Sequence, residues 1–165
     1  MFAAMTARNT LACAWLGCGL LAPAVAVAAT CTLSASAVAF GSYDTIQNTP
    51  NDTTGSLTVT CTPGVSDPVT TAYVLTIAGT GSGSDAVRSL TFSTYRLYYQ
   101  IYADAGRSIV WGNGGSSGAG VAGTTTSVAT LTPGVRLHTA YARMPALQTV
   151  KPGLYTGSLL VTIQY

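Results

Sequence analysis

The chain is 165 residues long, enough for one domain with a modest core. Charged residues make up 7% of it, no Glu occurs, and the formal net charge is +2. That balance excludes an electrostatic case for binding nucleic acid or an anionic membrane, and leaves solubility to Thr, Ser, Asn and Gly, as in exported β-proteins with hydroxyl-rich outer faces.

Residues 1–29 read as a signal peptide that is removed. Arg8 supplies a thin positive start, Leu11 to Leu21 an apolar run, and Ala24 to Ala29 the small residues that a signal peptidase reads, with cleavage after Ala28 or Ala29. A membrane anchor is the weaker reading, because the run is short for a span and Pro23 interrupts it. A lipoprotein signal at Cys18 is weaker still, since Trp15-Leu16-Gly17 fits that pattern poorly. No later stretch is long and apolar enough to serve as a stable membrane span. Cys13 and Cys18 leave with the signal, so residues 30–165 keep Cys31 and Cys61, an even count in an oxidising compartment. One disulfide between them is expected. A metal site is disfavoured, because His138 is the sole histidine and no CxxC occurs.

Strand patterns then recur between turn signals. Cys31 to Phe40 reads as a first strand ended by Gly41, and the polar stretch from Asp44 to Gly55 as a connection. Leu57-Thr58-Val59-Thr60-Cys61 alternates apolar and Thr. After Pro63-Gly64, Tyr73, Leu75 and Ile77 alternate, and the Gly- and Ser-rich run from Gly79 to Asp85 is a loop. Leu90 and Phe92 sit in a short strand; Leu97, Tyr99 and Ile101 share one face of a longer one, with Tyr98 and Tyr102 on the other. Ser108 to Trp111 is a brief strand, Gly112 to Gly123 a loop, Thr124 to Leu131 a strand, and Val135 to Met144 another. The chain closes on Leu159, Val161, Ile163 and Tyr165 on one face and Ser158, Thr162 and Gln164 on the other. Many short strands with Gly and Pro punctuation and no helical period predict an all-β sandwich in a single domain.

Catalytic chemistry is scarce. His138 lies in Arg136-Leu137-His138-Thr139-Ala140 and shares a face with Arg136 and Ala140, which reads as a surface histidine on a strand. A Ser-His-Asp set with Asp44 or Asp104 has no local signature. The glycine-rich stretches lack a GK[ST] ending and a following helix, so they are loops and not phosphate cradles. The five Asp residues stand mostly in turn contexts, which does not suit paired-carboxylate hydrolysis. Asn51-Asp52-Thr53 matches a glycan acceptor only as a short pattern. Tyr95, Tyr98, Tyr99 and Tyr102 read as cross-strand packing, with a ligand surface as the alternative. The expectation is a protein that is no enzyme and takes no cofactor.

The last third carries the more specific signal. Tyr141-Ala142-Arg143-Met144-Pro145, Gln148, Lys151-Pro152-Gly153-Leu154-Tyr155 and the closing Leu159-Leu160-Val161-Thr162-Ile163-Gln164-Tyr165 resemble the C-terminal signature of the spore coat protein U domain family. That family includes the Csu-type subunits of archaic chaperone-usher pili. Val38-Ala39-Phe40-Gly41 after Cys31, Leu57 to Cys61, Tyr99 to Asp104 and Trp111-Gly112-Asn113-Gly114 agree in order and spacing, and Ala142 departs where the family often has Gly. The resemblance implies an incomplete immunoglobulin-like β-sandwich whose final strand is supplied in trans. The donor would enter a groove between Leu33, Val38 and Phe40 on one lip and Leu159, Val161 and Ile163 on the other. The implied partners are a periplasmic pilus chaperone, an outer-membrane usher and neighbouring pilus subunits, with the product at the cell surface or in a fimbrium. Cleavage at Ala28 or Ala29 leaves one or two residues before Cys31, so a terminal subunit that accepts a strand without giving one is expected. The alternatives are a secreted, non-polymerising coat or biofilm-matrix protein and a carbohydrate-binding module using the tyrosines or loops, for which loss of glycan binding on changing Trp111 or Tyr102 is the test.

Overall fold

The computed structural model describes residues 29–64, 69–79, 87–115, 118–127 and 132–165. Residues 1–28, and with them Arg8, the apolar run, Cys13 and Cys18, lie outside the described residues, as do 80–86 of the Gly- and Ser-rich loop and 128–131 of the strand expected after Thr124. No helix among the described residues is long and apolar enough to cross a membrane.

Eight strands among the described residues form two antiparallel sheets. They are β1 (Thr30–Ala35), β2 (Asn51–Thr62), β3 (Thr70–Gly79), β4 (Arg88–Phe92), β5 (Tyr95–Tyr102), β6 (Val121–Thr126), β7 (Gly134–Met144) and β8 (Leu159–Gln164). One sheet runs β1-β2-β7-β5-β4 and the other β6-β3-β8. β1 and β8 are therefore each an end strand of their sheet, as are β4 and β6.

The two-residue alternation sets what is buried. Leu57, Val59 and Cys61 of β2, Tyr73, Leu75 and Ile77 of β3, and Leu97, Tyr99 and Ile101 of β5 turn inward and meet Ala140, Ala142 and Met144 of β7 in one core. Thr54, Thr58, Thr60 and Thr62 of β2 take the opposite face, as β-branched hydroxyl residues do on a solvated sheet surface. Cys31 and Cys61 stand directly opposite each other in the β1–β2 ladder and are joined by a disulfide.

Three boundaries differ from the sequence reading. β1 stops at Ala35 and not at Phe40, and the alternation changes phase between Leu33 and Val38. β2 begins at Asn51, inside the stretch read as a connection, because Asn51 to Gly55 pair with Ala140 to Met144 of β7. Val121 to Gly123 belong to β6 and not to the preceding loop, and the strand expected over Ser108 to Trp111 is reduced to single bridges from Val110 to Tyr102 and from Trp111 to Ala119. At the start of β2, polar and small residues pair through backbone groups that carry no hydrophobic signature.

Candidate functional site

Between β1 and β8 the two sheets leave an open cavity of about 330 Å³. One lip is the segment that follows β1. Ser36 still donates its N–H to Ser56 O at 2.8 Å, but beyond it the segment is held by side chains of β2. Thr53 Oγ1 donates to Ala39 O at 2.9 Å, and Asn51 Nδ2 donates to Phe40 O at 3.0 Å and Ser42 O at 3.3 Å. These bonds turn Val38 and Phe40 towards the core. Val38 fits against Gly55, where a Cβ would sit 2.8 Å from Val38 Cγ2, and Phe40 meets Tyr99 edge-on at 5.5 Å between ring centroids. The Asn51 amide is thus committed to this lip, which is a poor situation for a glycan acceptor.

The other lip is β8. Leu159, Val161 and Ile163 are half-buried and face inward, while Leu160, Thr162 and Gln164 face out. β3 pairs with β8 along one side, with Leu75 opposite Ile163, Ile77 opposite Val161 and Gly79 opposite Leu159. The floor of the cavity is apolar. Leu57, Ile77, Leu90 and Ile101 contribute aliphatic surface, and Gly55, Ala140 and Gly157 are the small positions that leave it hollow. Among the described residues, Tyr99 is the one ionisable side chain in the lining, and burial pushes its hydroxyl above the usual tyrosine range against the opposing influence of Arg88. Such a site can bury apolar side chains and pair backbone groups.

Of the six groove residues expected from sequence, Val38, Phe40, Leu159 and Val161 line the cavity, whereas Leu33 and Ile163 pack on the core outside its lining. The small floor residues Gly55, Ala140 and Gly157 were missed. The signal that could have found them is their parity: Gly55 precedes Leu57 by two, and Ala140 precedes Ala142 and Met144 on the inward face of β7.

The remaining motif residues build the end of the fold beside the groove. Arg143 forks onto Asp52 at 2.7 and 2.8 Å, which holds the Asp52 carboxyl below the usual carboxylate range. Tyr141 lies under Arg107, 6.0 Å from its ring centroid. The Pro145 carbonyl accepts from Tyr43 Oη at 2.7 Å and from Gln148 Nε2 at 3.1 Å. The Gln148 amide also accepts from Tyr98 N and donates to Tyr98 O, so it pairs with β5 as a backbone residue would. Gly153 is required by close packing, since a Cβ there would lie 2.4 Å from the Phe92 ring, and Tyr155 packs at a tilt against Phe92 and donates to Lys151 O at 2.8 Å.

Two readings of single residues are corrected. His138 is not a surface histidine: it is half-buried, hydrogen-bonded to Tyr73 Oη at 2.8 Å, and edge-on to Trp111 at 6.4 Å. Trp111 is 1% exposed and donates its indole N–H to Leu75 O, so it belongs to the core and offers no stacking face to a glycan. Among the described residues, no group of three or more His, Cys, Asp or Glu could hold a metal ion.

The Spore Coat Protein U domain family matches residues 19–162 of this chain. No curated protein sequence matches it. Among solved structures, the fold is similar to a chain of the CsuC–CsuE chaperone–tip adhesion subunit pre-assembly complex from the archaic chaperone-usher Csu pili of Acinetobacter baumannii. The TM-score is 0.50 at 17% identity, over 83% of this chain. The present chain spans 40% of the length of that chain, and the likeness is one of fold.

Proposed function

The chain belongs to the Spore Coat Protein U domain family, and on that premise we propose that it is a structural and adhesive subunit of a chaperone-usher surface fibre. In this reading it is an immunoglobulin-like sandwich that accepts an extended strand from another chain between β1 and β8. The observation that carries the reading is the pairing of an apolar cavity with β8, an end strand whose inward residues Leu159 and Val161 form its wall. An exposed apolar edge strand is a hazard unless it is paired, and strand addition satisfies its backbone while alternate side chains of the incoming segment fill the groove.

A periplasmic chaperone would supply that strand first and a neighbouring subunit would replace it, with an outer-membrane usher as the site of exchange and the cell surface as the destination. The disulfide suits an oxidising periplasm. The test is co-expression of residues 30–165, directed to the periplasm, with the chaperone of a chaperone-usher system from the same source. A stable one-to-one complex is expected, and Val161→Asp should abolish it by placing a charge in the groove. Recovery of a soluble, monomeric domain that ignores the chaperone would overturn the proposal.

A further inference from the structure

The groove is not uniform along its length, and the difference lies in which inward positions the fold fills for itself. Val59 and Leu75 are both 0% exposed core residues that do not line the cavity, and the Cys31–Cys61 disulfide lies beside Val59 on β2. Leu33 stands opposite Val59 and Ile163 opposite Leu75, so the two lips rest on filled core there. Next along β8, Ile77 stands opposite Val161 and with Leu57 forms the cavity floor; beyond it Gly79 stands opposite Leu159, and the cavity opens beside the small residues Gly55, Ala140 and Gly157.

We infer that this groove selects its donor by size: two large apolar side chains, two residues apart, at the levels of Val161 and Leu159, and a small residue at the level of Ile163. The inference rests on the strand-accepting reading. A closed cavity of about 150 Å³ holds one benzene molecule, so about 330 Å³ suits two large side chains. The spacing of two residues follows from strand geometry, in which directly opposed residues share a face. Among the described residues, no Asp, Glu, Lys, Arg or His lines the cavity, which favours uncharged inserted residues. The partner is therefore an extended segment of another chain with the inward order small, large, large when it runs antiparallel to β8.

The test uses donor strands joined to Tyr165 through a two-residue Asn-Gly turn, which fixes an antiparallel direction and a register against β8. Two donors of identical composition differ only in order, placing Ala, Leu and Phe, or Phe, Leu and Ala, opposite Ile163, Val161 and Leu159. The first should melt about 5–10 °C above the second, the scale of one large side chain buried or excluded. Ala140→Leu, which narrows the floor, should shrink that difference. Two donors that raise the melting temperature equally would overturn the size selection while leaving strand acceptance in place. If neither raises it and neither protects the amides of β8 from exchange, strand acceptance falls as well.

Discussion

His138 shows how much a single side chain can hide in an alternating strand. The alternation of β7 separates Arg136, His138 and Ala140 from Val135, Leu137 and Thr139 without showing which set is inside. The second set is the more apolar, yet Val135 and Leu137 are 63% and 62% exposed. The buried positions of β7 are instead Gly134, Ala140, Ala142 and Met144, three of them small, and no hydrophobic count reveals that. Burial, followed by the charge of Arg136, lowers the pKa of His138. The unfolded chain therefore takes up a proton before the folded one does. Stability should be full above about pH 6.5 and decline as the pH falls from there towards the lower folded value. Denaturant unfolding across pH 5 to 8 should show this slope, and His138→Gln should flatten it. Tyr73→Phe removes the hydroxyl partner and should cost about 1 kcal/mol at neutral pH.

At the scale of elements, the strands with a strong apolar alternation were legible and the ends defined by polar pairing were not. Leu75 and Ile77 marked β3, and Leu97, Tyr99 and Ile101 marked β5, because each alternates large apolar residues with others. The first five residues of β2 were invisible, since Asn51, Asp52, Thr53, Thr54 and Gly55 look like a turn. Their partners in β7 and the Asp52–Arg143 fork decide the matter in the folded chain. Gln148 is a similar case, standing in for a strand after β7 departs at Pro145. Gln148→Ala leaves both backbone groups of Tyr98 without this partner and should cost about 1–2 kcal/mol in urea unfolding, whereas Asp52→Asn should cost less than about 1 kcal/mol because that ion pair is solvated. The disulfide joins residues 30 apart and should contribute about 3–4 kcal/mol in the chain-entropy model. Paired Cys31→Ala and Cys61→Ala changes should lower the melting temperature correspondingly, and mass spectrometry of the exported protein should find no free thiol at either position.

For the whole molecule, the sequence carried the class of the fold and four of the cavity's wall residues, and lacked the hollow between them. Parity can place Gly55 and Ala140 on inward faces, but that they and Gly157 border one hollow shows only when β2, β7 and the approach to β8 are brought together. Each large side chain that a donor buries there would contribute roughly 1.5–3 kcal/mol, against a total margin of about 5–15 kcal/mol for a domain. The domain without a partner is thus expected to be weakly stable, and Ile163→Asp should remove the benefit of a donor without preventing the Cys31–Cys61 bond. The most direct test is hydrogen exchange of the β8 amides, Leu159 to Gln164, in the isolated domain and in its complex with the chaperone. We predict that amides along the edge of β8 facing away from β3 exchange rapidly in the isolated domain and gain strong protection in the complex. Equal and strong protection of β8 in a monomeric isolated domain, unchanged by the chaperone, would contradict the reading of this fold as one that receives a strand.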